Sequence, residues 1–493
     1  MSAHQGAVGD VHVEHSADVS ESRWAPGLRA LEAQRLLDLV ALKAMPALAA
    51  GVIAYLHVTG AGYAVVLGVA MLAALQLVER SALPLDLMPA SRITLGLVAP
   101  LVGVFLAVML GLAAGNHMAL RSFEAPVVGA WLVMALGAWL KVQFEERRPA
   151  RVAVIGSAGF ASDLAAELEA ARIRGYEVIG WFGAAAPAMH SGGLECLGRL
   201  DRVRAAVIAR RVELLVWARE ETDEQRGGAG GDTDLLALLA DACLDLPVRL
   251  IEASQLYEEL LGHVPLGTID SAWYRYIMHP RFRPTAPLWK RCSDLAIALA
   301  MSVLAVPLVT VAAIAIKLTD SGPVFYRQRR VGEKGQEFEI VKLRTMVQDA
   351  EPGGPQWSGA DDERVTRLGR LLRRTHVDEL PQLWNVLRGE MTIVGPRPER
   401  PEIVSQLEQR FPHYTRRHLV KPGIAGWAQL RCGYAGSELG TAWKLCHDLF
   451  YVKRRSIFAD WLIIVETVFE AGRDAHRALR APGQRFIVGQ TID

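Results

Sequence analysis

The chain of 493 residues has only five cysteines and almost no net charge. The cysteines are scattered and form no CxxC pair, which excludes a paired-cysteine zinc site and a disulfide framework and suits a reducing compartment. The formal net charge of +1 provides no overall field for a nucleic acid partner, and we expect none. The first residues are polar and of mixed charge, so we expect no cleaved leader.

Long apolar runs are abundant instead, since 51% of the residues are hydrophobic. After a polar tail over 1–36, four such runs lie within 37–145, each close to the ~20 residues that cross a bilayer. Arginines and lysines precede the first run and follow the fourth, so the positive-inside rule places both ends of this region in the cytoplasm. We predict a four-helix transmembrane region over 37–145; the alternative is a set of buried helices in a soluble domain.

A different pattern begins at Arg151. The stretch "RVAVIGSAGFASDLAAELEAARIRGYEVIGWFG" predicts a buried strand, a glycine turn, an amphipathic helix and a second strand. The segments "AAVIARRVELLVWARE" and "LPVRLIEAS" resemble further strands with helices between them. This alternation predicts a doubly wound α/β domain of Rossmann-like type over 150–265.

The glycine turn of this domain carries an altered dinucleotide-binding fingerprint. Gly156 keeps the first glycine position, but Ala158 and Ala161 occupy the second and third, and no acidic residue ends the second strand. We therefore favour a structural or regulatory domain, related to CoA- and NAD-binding folds, over a working nicotinamide site. An NAD-dependent sugar-nucleotide oxidoreductase or epimerase remains the alternative function.

A fifth apolar segment, over 290–317, is as long as a membrane span but has Pro307 in its middle. Basic residues flank both of its ends, and both ends should therefore lie on the cytoplasmic side. We predict a re-entrant helix that enters the membrane, bends at Pro307 and leaves by the same face. Asp294 at the entry is expected to pair with Arg291; a straight fifth span is the alternative.

The stretch "RRTHVDELPQLWNVLRGE" contains two adjacent carboxylates, Asp378 and Glu379, just after a cluster of arginines. Asp is a preferred helix N-cap, Pro381 suits a first helical turn and Gly389 suits a helix end. Spacing alone leaves capping and catalysis equally open for Asp378.

From about 287 to 470 the chain resembles the bacterial sugar transferase family, the monotopic phosphoglycosyl transferases. The matching motifs, in order along the chain, are "KRCSDLA", "GPVFYRQRRVG", "FEIVKLRTM", "RLGRLLRRTHVDELPQLWNVLRGEMTIVGPRPERP", "KPGIAGWAQLR" and "DLFYVKRRSIFADW". The four predicted spans and the Rossmann-like domain resemble the long subgroup, which starts exopolysaccharide or O-antigen repeat units. Val306 departs from the family, which commonly has Ser before the membrane proline.

The resemblance implies a reaction and its site. A sugar phosphate would pass from a UDP-sugar to polyprenyl (undecaprenyl) phosphate with release of UMP. Asp378 would be the nucleophile, and Glu379 its partner, with Mg²⁺ held by both carboxylates. Arg397 is implied in phosphate binding, Lys342 and Arg344 are further candidates for that role, and Asp448 and Asp460 are expected to support the site.

The resemblance also implies a location, the inner membrane of a bacterium, with the catalytic domain at the cytoplasmic face in contact with membrane lipids. The predicted architecture is a membrane α-helical bundle of four transmembrane helices, the α/β domain, and a mostly α catalytic domain over 285–475 with the re-entrant helix, followed by a tail over 476–493.

A homodimer is plausible for this subgroup. A non-catalytic membrane scaffold for polysaccharide assembly is a second rival. Trp384 and Trp427 are predicted to be packing residues.

Overall fold

The computed structural model describes residues 149–471, except 172, 174, 184–189, 192–193, 219–236, 238, 240, 270–272, 275–287, 349, 351–361, 412 and 433–437. The predicted tail over 1–36, the four membrane spans over 37–145 and the tail over 476–493 lie outside the described residues.

The first part of the described chain is an α/β unit built on a six-stranded sheet. Its strands and helices, in chain order, are β1 (Ala150–Ile155), α1 (Ala158–Ala170), β2 (Tyr176–Gly183), β3 (His190–Ser191), β4 (Leu194–Arg199), α2 (Val203–Arg210), β5 (Leu214–Trp217), β6 (Arg249–Glu252) and α3 (Ala253–Leu256). The strand order is β3-β4-β2-β1-β5-β6, and all neighbours are parallel except β3 and β4. The parallel α/β sheet predicted from the alternating pattern is therefore present.

Strand β1 explains why this unit has two cores. Successive side chains of a strand point to opposite faces of the sheet. Val152 and Val154 accordingly pack in one hydrophobic cluster, while Ala153 and Ile155 pack in another on the other side. A run of small and branched apolar residues without alternation is what a strand covered on both faces requires.

The segment "AAVIARRVELLVWARE" was predicted to contain a strand, but its first half is helical and only Leu214–Trp217 is strand. Helix α2 ends at Arg210, and Arg211 adopts a left-handed conformation with φ of 53° before the chain enters β5. Val203 and Val207, four residues apart, are buried on one side of this helix. The prediction was wrong because a short apolar run has no period long enough to separate helix from strand.

The second part contains a long apolar helix and the elements that pack against it. In chain order these elements are α4 (Leu288–Thr319), β7 (Phe325–Val331), β8 (Glu337–Leu343), α5 (Arg367–Arg374), α6 (Gln382–Arg388), β9 (Thr392–Val394), α7 (Pro401–Arg410), β10 (Gly423–Ala425), α8 (Trp427–Cys432), α9 (Glu438–Arg454) and α10 (Ile457–Ala471). Strands β7 and β8 form an antiparallel hairpin, which turns at Glu333–Gly335. Strands β9 and β10 pair in parallel.

Helix α4 is, within the described residues, the one helix long and apolar enough to cross a membrane, with a mean hydropathy of 2.5 over its most apolar window. Only 17% of that window is buried, unlike the core helix of a soluble protein. Pro307 lies inside the helix, and helical residues continue on both sides of it. The helix therefore continues through Pro307, where a bend was predicted, and the re-entrant path stays a prediction.

A buried seam joins the α/β unit to the second part. A single π-helical turn, Tyr257–Leu261, follows α3 and carries Glu258, whose carboxylate pairs with Lys453 and Arg454 at the end of α9. The Trp427 indole N–H donates to the Gly262 carbonyl oxygen over 2.6 Å. The last turn of the α/β unit thus packs into the core of the second part.

Candidate active site

Asp378 and Glu379 lie on a tight turn between two short helices. Helix α5 ends at Arg374, His376 takes a left-handed conformation with φ of 55°, and Val377–Glu379 forms a 3₁₀ turn. A non-glycine residue with positive φ is uncommon and strained, so the surrounding structure must hold this turn in place.

The capping interpretation of Asp378 is wrong. Helix α6 begins at Gln382, its N-cap is Pro381, and no side chain caps it. The predicted end of the helix is confirmed, because Gly389 closes α6 with φ of 83°. Asp378 is thus buried but does not cap helix α6, the structural function that its sequence position predicted.

Glu379 is held by two cations from distant parts of the chain. Its Oε1 atom accepts from Lys342 Nζ over 2.9 Å and from Arg397 Nη2 over 2.7 Å. Lys342 comes from β8, and Arg397 from the loop between β9 and α7. The structure therefore brings Lys342, Arg397 and the carboxylate pair together at one point.

The two carboxylates experience opposite electrostatic surroundings. Burial raises the pKa of Asp378, and the negative charge of Glu379 raises it further, against the opposing effect of Lys342, Arg373 and His376. Burial would also raise the pKa of Glu379, but Arg397 and Lys342 more than offset it and lower that pKa well below its usual range. Neighbouring acids with pKa values pushed apart are typical of sites that assign them different chemical roles.

The Asp378 carboxylate has no hydrogen-bond or ion-pair partner among the described residues. It is buried, with 7% of the residue exposed. A buried carboxylate without a partner is costly, and it is available to react or to accept a cation. Arg397, by contrast, is about 40% exposed along its side chain and can reach a ligand from the open side.

Arg344 lies apart from this cluster. Its guanidinium pairs with Asp320 over 3.0 Å, just beyond the end of α4. Gly322 allows this packing, because a Cβ there would lie 1.7 Å from Arg344 Nη1. Arg344 is not among the groups that shift the pKa of Asp378 or Glu379, and its placement favours a structural role over phosphate binding.

The two supporting aspartates also lie away from the pair. Asp448 forms an ion pair with Arg417 over 2.7 Å, and both residues are buried. Asp460 pairs with Lys290 over 2.7 Å and accepts from the Tyr451 hydroxyl. Each aspartate therefore holds a basic side chain in the interior.

Arg291 and Asp294 fasten the start of α4 to the rest of the second part, but they do not pair with each other. Arg291 donates to the carbonyl oxygens of Val386 and Leu387 at the end of α6. Asp294 accepts from the Thr392 hydroxyl over 2.6 Å and from the Ile393 N–H. Its cationic partner is Lys290, at 3.3 Å, rather than the expected Arg291.

The carboxylate pair is the candidate magnesium site. Among the described residues no group of three or more His, Cys, Asp and Glu side chains could hold a metal ion by itself. Mg²⁺ is nevertheless commonly bound by one or two carboxylates together with substrate phosphates. Buried, unpartnered Asp378 beside Glu379 fits that mode of binding.

The sequence did not identify three residues that act on the pair or on the loop that carries Arg397. Arg373 and His376 act on the Asp378 carboxylate, and Arg417 contacts the loop that carries Arg397. The arginine cluster before the pair was noted, but periodicity alone does not distinguish Arg373 from its exposed neighbours. Of the two tryptophans, Trp427 is buried as expected, whereas Trp384 is 58% exposed and its predicted packing role is wrong.

The glycine turn of the α/β unit shows close packing rather than an open cradle. Ser157 caps α1 by accepting from the Phe160 N–H, and Ala161 is fully buried against the sheet. A Cβ at Gly156 would lie 3.1 Å from the Ala218 Cβ. These contacts supply a structural reason for the glycine that needs no dinucleotide.

Comparison with known proteins gives a consistent result. The model of the bacterial sugar transferase family matches residues 285–473. A UDP-N-acetylgalactosamine-undecaprenyl-phosphate N-acetylgalactosaminephosphotransferase of Aeromonas hydrophila is 43% identical over 46% of this chain and 52% of its own length. A UDP-glucose:undecaprenyl-phosphate glucose-1-phosphate transferase of Caulobacter vibrioides is 40% identical over 38% of this chain and 72% of its own length.

A shorter relative is covered almost completely. The exopolysaccharide production protein PSS of Rhizobium leguminosarum is 37% identical over 92% of its length. The chain spans only about half of the Aeromonas relative and a third of a Xanthomonas campestris glucose-1-phosphate transferase. The ordered motifs, the family match and these identities agree, and the chain belongs to the bacterial sugar transferase family.

Proposed function

We propose that this protein transfers a hexose-1-phosphate from a UDP-sugar to polyprenyl (undecaprenyl) phosphate and releases UMP. The observation that carries the proposal is the pair of adjacent carboxylates in which Glu379 is bound by Lys342 and Arg397 while Asp378 is buried without a partner. The names of the relatives, which include transferases of this type, support the same chemistry.

The proposed reaction has two displacements at one phosphorus atom. In the first, a carboxylate oxygen of Asp378 attacks the β-phosphorus of the UDP-sugar. The bond between that phosphorus and the bridging oxygen breaks, and UMP leaves with the electron pair. In the second, an oxygen of polyprenyl phosphate attacks the phosphorus of the Asp378-phosphosugar, the carboxylate leaves, and polyprenyl diphosphate-sugar forms.

The neighbouring charges suit this sequence. Lys342 and Arg397 neutralise Glu379, so that the attacking carboxylate of Asp378 and the incoming diphosphate are not opposed by an uncompensated third anion. Arg397 offers a planar guanidinium whose paired N–H groups match phosphate oxygens. Mg²⁺, held by Asp378 and Glu379, would supply further neutralisation of the diphosphate.

The membrane helix supports a location at the bilayer surface. Asp294 in the second turn of α4 is anchored to β9, while Ala312 and Ile316 near its end pack with Leu343 and Leu372. If the helix crossed the bilayer straight, its start at Asp294 and its end at Ala312 and Ile316 would lie about 30 Å apart, on opposite sides of the membrane. Contact of both ends with one domain supports a helix that returns to the cytoplasmic face.

We further propose that the product is the first lipid-linked sugar of an exopolysaccharide or O-antigen repeat unit, made at the inner membrane of a bacterium. The relatives include glucose and N-acetylgalactosamine transferases, so the donor sugar is to be determined by assay. The assay presents UDP-glucose, UDP-galactose and their N-acetyl forms, with undecaprenyl phosphate and Mg²⁺, to the full chain in detergent or lipid.

The expected result is UMP release from one of these donors. Asp378→Asn should abolish it, and Glu379→Gln should reduce it strongly, with unchanged thermal stability as evidence of folding. Full activity of Asp378→Asn would refute the covalent mechanism. A nicotinamide absorbance in the purified protein, without UMP release, would favour the oxidoreductase instead.

A further inference from the structure

Arg417 is a buried arginine with no contact to the carboxylate pair. It lies in the 3₁₀ segment Tyr414–Leu419, after α7, and only 4% of it is exposed. Its Nε atom donates to Asp448 Oδ2 over 2.9 Å, and its Nη2 atom lies 2.7 Å from the same oxygen in an ion pair. Its Nη1 atom donates to the Tyr414 hydroxyl over 2.8 Å. Nη2 also donates to the main-chain carbonyl oxygen of Arg397 over 2.8 Å.

The contact at Arg397 belongs to a series along the same loop. Gly423 N–H donates to the Pro396 carbonyl oxygen, and Arg330 Nη1 donates to the Pro398 carbonyl oxygen. The main chain before and after Arg397 is therefore held by hydrogen bonds, and Arg417 supplies the one at Arg397 itself. The position of the Arg397 Cα atom decides whether its side chain reaches Glu379.

Arg397 and Arg417 differ in how far their side chains are buried, and this difference indicates different roles. Arg397 is partly exposed and contacts the carboxylate pair, whereas the Arg417 guanidinium is enclosed and already bound to Asp448. An enclosed, neutralised guanidinium is unsuited to binding a donor phosphate. It is well suited to orienting a neighbour, because its planar fork has donors pointing in several fixed directions.

We propose that Arg417, anchored by Asp448, is a positioning residue that holds the main chain at Arg397 and so places the Arg397 guanidinium at Glu379 and the donor phosphates. The inference rests on the proposed function for its consequence in the reaction. The hydrogen bond itself can be tested without activity. The proposal also assigns a function to Asp448, which the sequence indicated only as a supporting residue. Asp448 neutralises and orients Arg417.

The test compares the wild-type chain with Arg417→Lys, Asp448→Asn and the control Glu258→Gln. Lysine keeps the charge opposite Asp448 but lacks the fork that reaches Arg397, and Asp448→Asn is a second variant should the first fold poorly. Glu258 also forms a buried ion pair with α9, the helix that carries Asp448, but has no contact with the Arg397 loop. Two readouts are used: hydrogen exchange of the peptide covering 392–400, and UMP release.

In Arg417→Lys and Asp448→Asn we expect faster exchange in that peptide and a decrease in kcat/KM of about 10- to 100-fold, typical of a displaced positioning group. In Glu258→Gln the loop should exchange as in the wild type. The effects of Arg417→Lys and Arg397→Lys should be far from additive, because one residue acts through the other.

The inference is overturned if the loop exchanges at the wild-type rate in Arg417→Lys and Asp448→Asn. It is also overturned if Glu258→Gln lowers kcat/KM as much as they do, or if the two arginine substitutions are additive. Faster loop exchange in a chain whose wild type releases no UMP from any donor would support the contact while refuting the proposed function.

Discussion

At the scale of single residues, the difference between Asp378 and Glu379 comes from what surrounds them. Glu379 is bound by two cations, whereas burial and the Glu379 charge raise the pKa of Asp378. A nucleophilic carboxylate must be ionised, so the acid side of the pH profile should report the pKa of Asp378 in the free enzyme.

Arg373 provides a test of this electrostatic picture. It lowers the pKa of Asp378, so Arg373→Gln should raise that pKa and move the acid limb of the kcat/KM profile for UMP release to higher pH. Arg374→Gln is the matched control, because Arg374 is its exposed neighbour at the end of α5. An unchanged limb in Arg373→Gln, or one shifted to lower pH, would contradict the assignment of Asp378 as nucleophile.

The residues of the site differed in how well the sequence predicted them. Lys342 and Arg397 were predicted to bind phosphate through the resemblance, and the structure brings both to Glu379. Arg344 belongs to the same motif as Lys342 but lies two residues further on and pairs with Asp320. Such a difference depends on where the strand β8 ends, which a motif does not specify.

At the scale of elements, α4 shows what composition can and cannot predict. Its length, its apolar character and Pro307 were evident in the sequence. Its anchors, Asp294 on Thr392 and Arg291 on the end of α6, join residues about a hundred positions apart, and no local pattern specifies such pairs.

Cysteine labelling tests the path of α4. In a chain without its own cysteines, Trp289→Cys and Ser321→Cys should both react with an impermeant thiol reagent in inside-out membrane vesicles and be protected in right-side-out ones. Leu304→Cys, in the exposed apolar middle of the helix, is the control and should be protected in both. Labelling of the first two positions from opposite sides would show a straight span and contradict the re-entrant path.

At the scale of the whole molecule, the α/β unit and the second part share a buried interior where they meet. His263 and His447 lie in one ring cluster with Trp443, and burial lowers the pKa of His263 to about 3, so that it stays neutral. The alternating pattern predicted the sheet, but the seam could not be predicted, because it depends on the π-helical turn at Tyr257–Leu261 and on contacts nearly 200 residues apart.

The Glu258 ion pairs predict that the two parts are stabilised together. Glu258→Gln removes the carboxylate that Lys453 and Arg454 share and should lower the free energy of unfolding by about 1–3 kcal/mol. Hydrogen exchange should become faster on both sides of the seam, over 257–262 and 450–454. Glu259→Gln, whose partner Arg249 lies within the α/β unit, is the control; equal effects of the two substitutions would argue against a shared seam.

The central claim is that Asp378 carries the sugar phosphate between donor and acceptor. Its most direct test is mass spectrometry of the full chain after incubation with the active UDP-sugar and Mg²⁺, in the absence of polyprenyl phosphate. The account predicts one added hexose-phosphate on the peptide containing Asp378, lost when polyprenyl phosphate is added and absent in Asp378→Asn. UMP release that depends on polyprenyl phosphate at every turnover, with no adduct on Asp378 even when the reaction is quenched early, would contradict it.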